Sequence, residues 1–346
     1  MWARRCGASP TITGTTSGRC RPSGRCWATP TCRNTWATSR SKRRTGRSRN
    51  VHKILPRLGF YLPYAWRFLI LRRAEPLIYG IAPTDRCNLS CRGCRVANSG
   101  RPDMSWEQLV TTMQNAWQRG FRELYFSGGE PMLWRDQGRT LEDAIQEAQR
   151  MGFFHVHLYT NGALGLESPA DLTWVSMDGL PGTFEQRRGD HFERVEGAVR
   201  RRRNGRVALI YTIDSHTLDG ILPFLHWVVA TRFPVIGVMF YFHTPYYGFD
   251  ELYLDAEQRA PVIDLLLGCI RAGLPVLNSA AGLRALKSGD WPRRLPVARV
   301  ADVDGEYVCC RADDEVCANC GYAACTEITE FQRLRPSALF GMLRYW

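Results

Sequence analysis

The chain predicts an α/β fold built on a parallel sheet, and two observations carry that reading. Short apolar runs alternate with longer amphipathic stretches from about residue 77 to residue 272, the pattern of strands joined by helical crossovers. The motifs rich in Gly, Asn, Asp or Cys follow those runs directly, so they collect at the C-terminal ends of the strands, where αβ barrels carry their sites.

Taken in order, strands are predicted at 77–83, 122–127, 153–159, 172–177, 206–213 and 235–242. Helices are predicted at 105–119, 138–151, 184–202, 217–230 and 256–272. Ser105 ahead of Trp-Glu-Gln is an N-cap for the first helix, and Asn204-Gly205 ends the one that carries Arg200 to Arg203. The stretch between Gly162 and Leu172 leaves room for only a stunted helix. Four segments follow: a basic tail at 1–50, a helical segment at 51–76, the αβ body at 77–280 and a cysteine-rich extension at 281–346.

Charge is distributed very unevenly. The formal net charge is +13, yet residues 1–50 hold twelve Arg or Lys and no Asp or Glu, leaving 34 basic against 33 acidic residues in 51–346. The body gives no reason to expect nucleic acid as a partner. The tail has no apolar period and too little apolar surface to fold, so disorder is expected. It reads as a nucleic-acid arm or an Arg- and Ser-rich transit peptide, or else as an out-of-frame translation of GC-rich DNA ahead of a native start near Val51. Mass spectrometry of the native N-terminus separates these readings. No segment reaches the roughly 18 apolar residues that span a bilayer, and a soluble, cytoplasmic protein is expected. Phe60 to Arg72, short and aromatic, is either a helix packed across the lower rim of the body or a segment resting on a bilayer surface.

The residues that speak to chemistry begin with Cys87-Asn-Leu-Ser-Cys91-Arg-Gly-Cys94. Three thiolates spaced CxxxCxxC can hold an iron–sulfur cubane with one iron left open, or a zinc ion. Next comes Leu124-Tyr-Phe-Ser-Gly128-Gly129-Glu130-Pro131, an apolar strand ending in two glycines that let a ligand approach the backbone, and a carboxylate suited to an ammonium group. Leu158-Tyr-Thr160-Asn161-Gly162 and Trp174-Val-Ser176-Met-Asp178-Gly179 close two further strands, and Arg188-Gly189-Asp-His-Phe192-Glu-Arg-Val195 follows.

This ordered set resembles the radical SAM superfamily over roughly residues 77 to 250. The resemblance implies a partial (βα)6 TIM-type barrel, a [4Fe-4S] cluster on Cys87, Cys91 and Cys94, and S-adenosylmethionine chelating the open iron. It implies that Gly128, Gly129 and Glu130 hold the methionyl end, that Thr160 and Asn161 belong to the same cofactor site, and that Ser176 and Asp178 contact the ribose. The activity implied is reductive cleavage of S-adenosylmethionine to a 5′-deoxyadenosyl radical, with a flavodoxin or ferredoxin as electron donor. The substrate is not readable; peptide modification and lipid or small-molecule biosynthesis both stand. Gly93 departs from the family, which often has an aromatic before the third cysteine, and in this it is similar to a radical SAM enzyme of hopanoid biosynthesis.

Strand six ends Phe240-Tyr-Phe-His243-Thr-Pro245-Tyr246-Tyr247-Gly248, which brings an imidazole and phenols to the same mouth. His243 and Tyr246 are candidates to donate protons or hydrogen bonds, or are ordinary packing. Thr212 and Asp214, at the end of strand five, are candidates to reach the ribose. His155 and His157 share a strand face, and with no carboxylate or cysteine near them in sequence they read as structural; Cys269 reads as core.

Near the C-terminus Cys309-Cys310 precedes Cys317-Ala-Asn-Cys320-Gly-Tyr-Ala-Ala-Cys325. A second iron–sulfur cluster, a zinc site and free thiols are the three readings, with Cys310, Cys317, Cys320 and Cys325 as ligands and Cys309 as the substitute. The region resembles the SPASM or twitch extensions of radical SAM relatives without matching their spacing closely. A competing reading makes the chain a non-enzymatic zinc protein whose tail binds nucleic acid, but it leaves Gly128-Gly129-Glu130 unexplained.

Overall fold

The computed structural model describes residues 51–346 except Ala74, Arg95, Asn204, Tyr247, 311–313, Leu343, Tyr345 and Trp346; the expectations for 1–50 and for Tyr247 lie outside the described residues. Six strands run in sequence order: β1 (Ile78–Ile81), β2 (Glu123–Phe126), β3 (His155–Thr160), β4 (Leu172–Ser176), β5 (Arg206–Ile213) and β6 (Val238–Phe242). Each pairs in parallel with the next. On the other edge of β1 lies β7 (Ala298–Asp302), parallel to it, followed by antiparallel β8 (Gly305–Val308). The mixed α/β architecture with a parallel-dominated sheet agrees with the predicted partial barrel.

The strands are buried on both faces, as a sheet covered by crossovers must be. Outward-facing Ile81, Leu124, Phe126, Val156 and Leu158 pack on Leu109 and Met113 of α2 (Trp106–Gln118) and on Ala144 and Ile145 of α3 (Leu141–Met151). Val175, Leu209, Ile213 and Phe240 meet Val195, Phe224 and Leu225, and also Ile263 and Leu266. Those partners come from α5 (Phe192–Arg201), α6 (Ile221–Ala230) and α7 (Ala256–Arg271); α4 (Thr183–Arg188) precedes them. Burying one such side chain contributes about 1.5–3 kcal/mol. The inward set is different: Trp174, Ile210, Met239 and Tyr241 form an inner cluster with Tyr159 and Tyr322.

Local signals explain most boundaries. Ser105 accepts from Gln108 N–H, and Gln108 returns the bond to Ser105 N–H, a complete capping box for α2. The helix expected at 184–202 is two, α4 and α5, because Gly189 takes a positive φ between them. No helix joins β3 to β4: Gly162 and Gly165 both have positive φ and turn the chain instead.

At the N-terminal ends of the strands α1 (Val51–Ala65) runs on into a π-helical turn, Trp66–Ile70. Arg57 donates to Phe154 O at 2.6 Å and Tyr61 donates to Glu123, so the segment crosses the lower rim. The C-terminal part comprises α8 (Ala280–Ser288), the β7–β8 hairpin, α9 (Asp314–Ala318), α10 (Ala323–Gln332) and α11 (Pro336–Met342). It follows the free edge of β6, where Phe242 N–H donates to Gly321 O at 3.1 Å, and it sends Tyr322 into the interior, stacked on Tyr241 at 4.4 Å.

Candidate active site

The loop after β1 carries the three cysteines and is pinned by Asn98, which accepts from Cys87 N–H at 2.8 Å and donates to Leu89 O at 3.4 Å. Gly93 adopts φ +75°, and a Cβ there would lie 2.4 Å from Leu252 and 3.2 Å from His243. The departure at this position is therefore a requirement of the loop.

Gly128 and Gly129, at the end of β2, pass directly beneath that loop. Gly129 N–H donates to Thr84 O at 3.0 Å, and a Cβ on Gly129 would meet the carbonyls of Asp85 and Arg86 at 2.3 Å. Glu130 is fully buried and does not line the cavity. Its carboxylate accepts from Thr160 Oγ1 at 2.8 and 2.9 Å, from Asn161 N–H at 2.8 Å and from Met132 N–H at 3.1 Å. Burial pushes the Glu130 carboxyl up, against those hydrogen bonds. In this structure the Glu130 carboxylate ties the end of β2 to that of β3. Asn161 in turn donates to Cys87 Sγ at 3.6 Å and to Asn88 Oδ1 at 2.9 Å. The Thr-Asn-Gly segment is the bracket between Glu130 and the cysteine loop.

Asp178 and Asp214 are likewise engaged by protein partners. Both are buried and neither lines the cavity. Asp178 accepts from Arg188 Nε at 2.6 Å and from Thr212 N–H at 2.7 Å, and pairs with Arg187 at 3.2 Å. Asp214 pairs with Arg187 and accepts from His216 and Thr217 N–H at 2.9 and 3.0 Å. Arg188 donates to Cys91 Sγ at 3.8 Å. The two aspartates hold two arginines against the cysteine loop, because a buried carboxylate needs a cation or N–H partners.

What remains around a cavity of about 300 Å³ is Cys87, Cys91, Cys94, Gly128, Gly129, Thr160, Asn161, Ser176 and Thr212, with Arg187, Arg188, His243, Tyr246, Tyr241 and Tyr322. His243 Nε2 lies 3.1 Å from both oxygens of Asp250. Burial and Arg187 draw the His243 imidazole down while Asp250 opposes them. Burial keeps the Tyr246 phenol protonated.

Comparison with known proteins bears on the family. The radical SAM superfamily model matches residues 81–227. Residues 81–227 of this chain carry a radical SAM superfamily domain. Among curated relatives, a probable GTP 3′,8-cyclase of Methanopyrus kandleri is 33% identical over 100 residues, covering 28% of this chain and 31% of that protein. A 7,8-dihydro-6-hydroxymethylpterin dimethyltransferase of Methanocaldococcus jannaschii is 32% identical over 106 residues, covering 29% and 20%. The chain spans between a fifth and about half the length of such relatives. Among solved structures, native anSMEcpe with bound AdoMet and Kp18Cys peptide superimposes with a TM-score of 0.54 at 19% identity, covering 79% of this chain and 84% of that one. Streptococcus suis SuiB bound to precursor peptide SuiA gives 0.54 at 12%, covering 75% and 65%. At these identities the structural likeness concerns the fold.

The three thiols suit the cluster of the superfamily. Among the described residues no three His, Cys, Asp or Glu side chains stand gathered as ligands of a metal ion, so the fit rests on donor chemistry. The three thiols share one loop and one cavity, with Leu89 N–H at 3.4 Å and Asn161 Nδ2 at 3.6 Å from Cys87 Sγ, and Arg188 at Cys91. Such donors stabilise the charge carried by cluster sulfurs.

The C-terminal thiols also converge. Cys309 Sγ lies 3.5 Å from Cys325 Sγ and interacts with Cys310, while Cys320 interacts with Cys325. These contacts draw the Cys309 thiol down and push that of Cys325 up. Cys309, the reserve ligand in sequence, stands at the middle of the group. His155 and His157 are not isolated as the sequence suggested: Glu123, from the neighbouring strand, lies 3.3 Å from His155 Nδ1, and His157 Nδ1 accepts from Trp174 Nε1 at 3.2 Å. Burial draws His157 down to about 3. Arg187, Asn98, Asp250 and Tyr322 were not singled out from sequence, and the role of Arg188 was not foreseen. The one signal available was a pair of arginines facing two buried aspartates.

Proposed function

We propose that this chain is a radical SAM enzyme in which Cys87, Cys91 and Cys94 hold a [4Fe-4S] cluster with one iron left to S-adenosylmethionine. When bound, that cluster supplies the electron that cleaves the sulfonium to methionine and a 5′-deoxyadenosyl radical. The observation that carries this reading is the shared cavity, where the three thiols, the bare backbone of Gly128 and Gly129 and the Thr160-Asn161 bracket meet. Ser176 and Thr212 present hydroxyl groups to the cavity that would suit a ribose, and Arg187 a guanidinium that would suit a carboxylate. Asp250 favours a proton on His243 Nε2, which leaves Nδ1 as an acceptor, and Tyr246 is a donor. Leu89, Tyr159, Ile210 and Phe242 exclude water from the same space.

The approach of Cys309 to Cys325 at 3.5 Å, with Cys310, Cys317 and Cys320 in the same region, supports a second metal centre, an auxiliary iron–sulfur cluster ahead of zinc. The substrate offers an unactivated C–H bond or an alkene. The peptide-bound anSMEcpe and SuiB structures favour a peptide, and the relatives named as cyclase and methyltransferase favour a small molecule. Anaerobic reconstitution with iron and sulfide, followed by dithionite and S-adenosylmethionine, tests the assignment. Loaded protein should absorb broadly near about 400 nm, as thiolate-ligated iron does, and should release 5′-deoxyadenosine. Loaded protein that releases none refutes the proposal.

A further inference from the structure

The helix across the lower rim is apolar on two opposite faces, and a cover needs only one. Phe60, Tyr64 and Phe68 point inward and stack at 5.7 and 5.5 Å, with Phe331 continuing the column at 6.2 Å. Two residues out of phase, Leu58, Leu62, Trp66 and Ile70 form an outer stripe, 48, 66, 59 and 51% exposed, and Leu71 follows at 47%. Steps of four residues drift around an α-helix, but the wider π-helical turn at Trp66–Ile70 counters that drift and keeps Ile70 beside Trp66. Isolated exposed apolar residues are ordinary, whereas an aligned row of four is an interaction surface.

Charge identifies the occupant. Val51 to Arg73 contains no Asp or Glu and five Lys or Arg; Arg57 donates to Phe154 O and Arg67 pairs with Glu75 at 3.2 Å, while Arg72 and Arg73 are exposed directly after the stripe. No described helix is long and apolar enough to cross a membrane, so this one would lie in the interfacial plane with Trp66 at headgroup depth. We propose that the outer face of α1 and its π-helical turn docks on an anionic bilayer surface, with the C-terminal ends of the strands, and so the cavity, directed away from the lipid. An acidic protein groove or a second copy of the chain would meet the apolar row but make different predictions.

The full chain should co-sediment with vesicles of phosphatidylglycerol and phosphatidylcholine, more weakly in high salt and with phosphatidylcholine alone. The L62E/W66E variant should lower that partitioning by at least about tenfold, the scale expected for removing two buried apolar anchors. R72E/R73E should produce a loss of about tenfold or more on anionic vesicles alone and carries the test should L62E/W66E fail to fold. The proposal is overturned by absence of binding to anionic vesicles, or by undiminished binding of folded L62E/W66E or of R72E/R73E, which would assign binding to the basic tail. A dimer in solution that L62E/W66E splits would also overturn it.

Discussion

Glu130→Gln separates a carboxylate that positions the site from one that touches the cofactor. One oxygen accepts Met132 N–H at 3.1 Å, the other accepts Asn161 N–H at 2.8 Å, and the Thr160 hydroxyl reaches both. Whichever way the amide is turned, one of the two backbone N–H groups faces another N–H. A buried donor without a partner costs about 1–3 kcal/mol, and loss of charge weakens the bond that survives, so about 2–4 kcal/mol is expected in all. For a domain of this size each kcal/mol shifts Tm by about 2–4 °C, so the variant should melt roughly 4–16 °C lower. Because Glu130 does not line the cavity, its effect on S-adenosylmethionine passes through Asn161, and Kd should rise by less than about tenfold, or 1.4 kcal/mol. Calorimetric unfolding and titration of the reconstituted protein measure both quantities. An unchanged Tm with S-adenosylmethionine affinity reduced a hundredfold or more would refute the reasoning and restore Glu130 as a direct ligand.

Three more expectations follow from particular residues. Gly93→Tyr, which installs the aromatic common in the family, should destabilise the protein by about 2 kcal/mol or more, since φ is +75° and a Cβ meets Leu252; denaturant midpoints report it, and a stabilised variant would contradict the loop conformation. Glu327 is pushed by burial from 4.5 to about 7 while accepting Ser279 N–H at 2.7 Å. The folded state therefore holds a proton that the unfolded chain has lost, so stability should fall by up to about 3 kcal/mol between pH 4.5 and 7. Glu327→Gln should remove that part of the slope, checked by unfolding at pH 5 and 8. C87A/C91A/C94A should abolish 5′-deoxyadenosine formation while retaining metal at the C-terminal thiols, and Cys325→Ser should remove that metal; elemental analysis of the two variants distinguishes the centres.

The parts of the fold legible in sequence were those governed by local periodicity. The apolar run of β5 and the capping box of α2 need no distant partner to be seen. The strands of the C-terminal extension escaped because β7 and β8 are short and half-polar, and gain their places only by pairing, β7 with β1 and β8 with β7. Around the site, the cysteine loop and the Gly-Gly turn were legible because ligand type and backbone freedom belong to the residues themselves. Glu130, Asp178 and Asp214 were legible as important carboxylates, but their directions were not, since each points to a partner on another strand end or in α4.

Composition and spacing alone thus determined the cysteine loop and a parallel α/β body that carries motifs at one rim. Only the tertiary structure decided which charged groups face the cavity and which are spent beneath it. The physical reason is desolvation: a buried carboxylate or guanidinium is held where a counter-charge or N–H can satisfy it, and for Arg188 that place is Asp178 and Cys91, the latter 97 residues away along the chain.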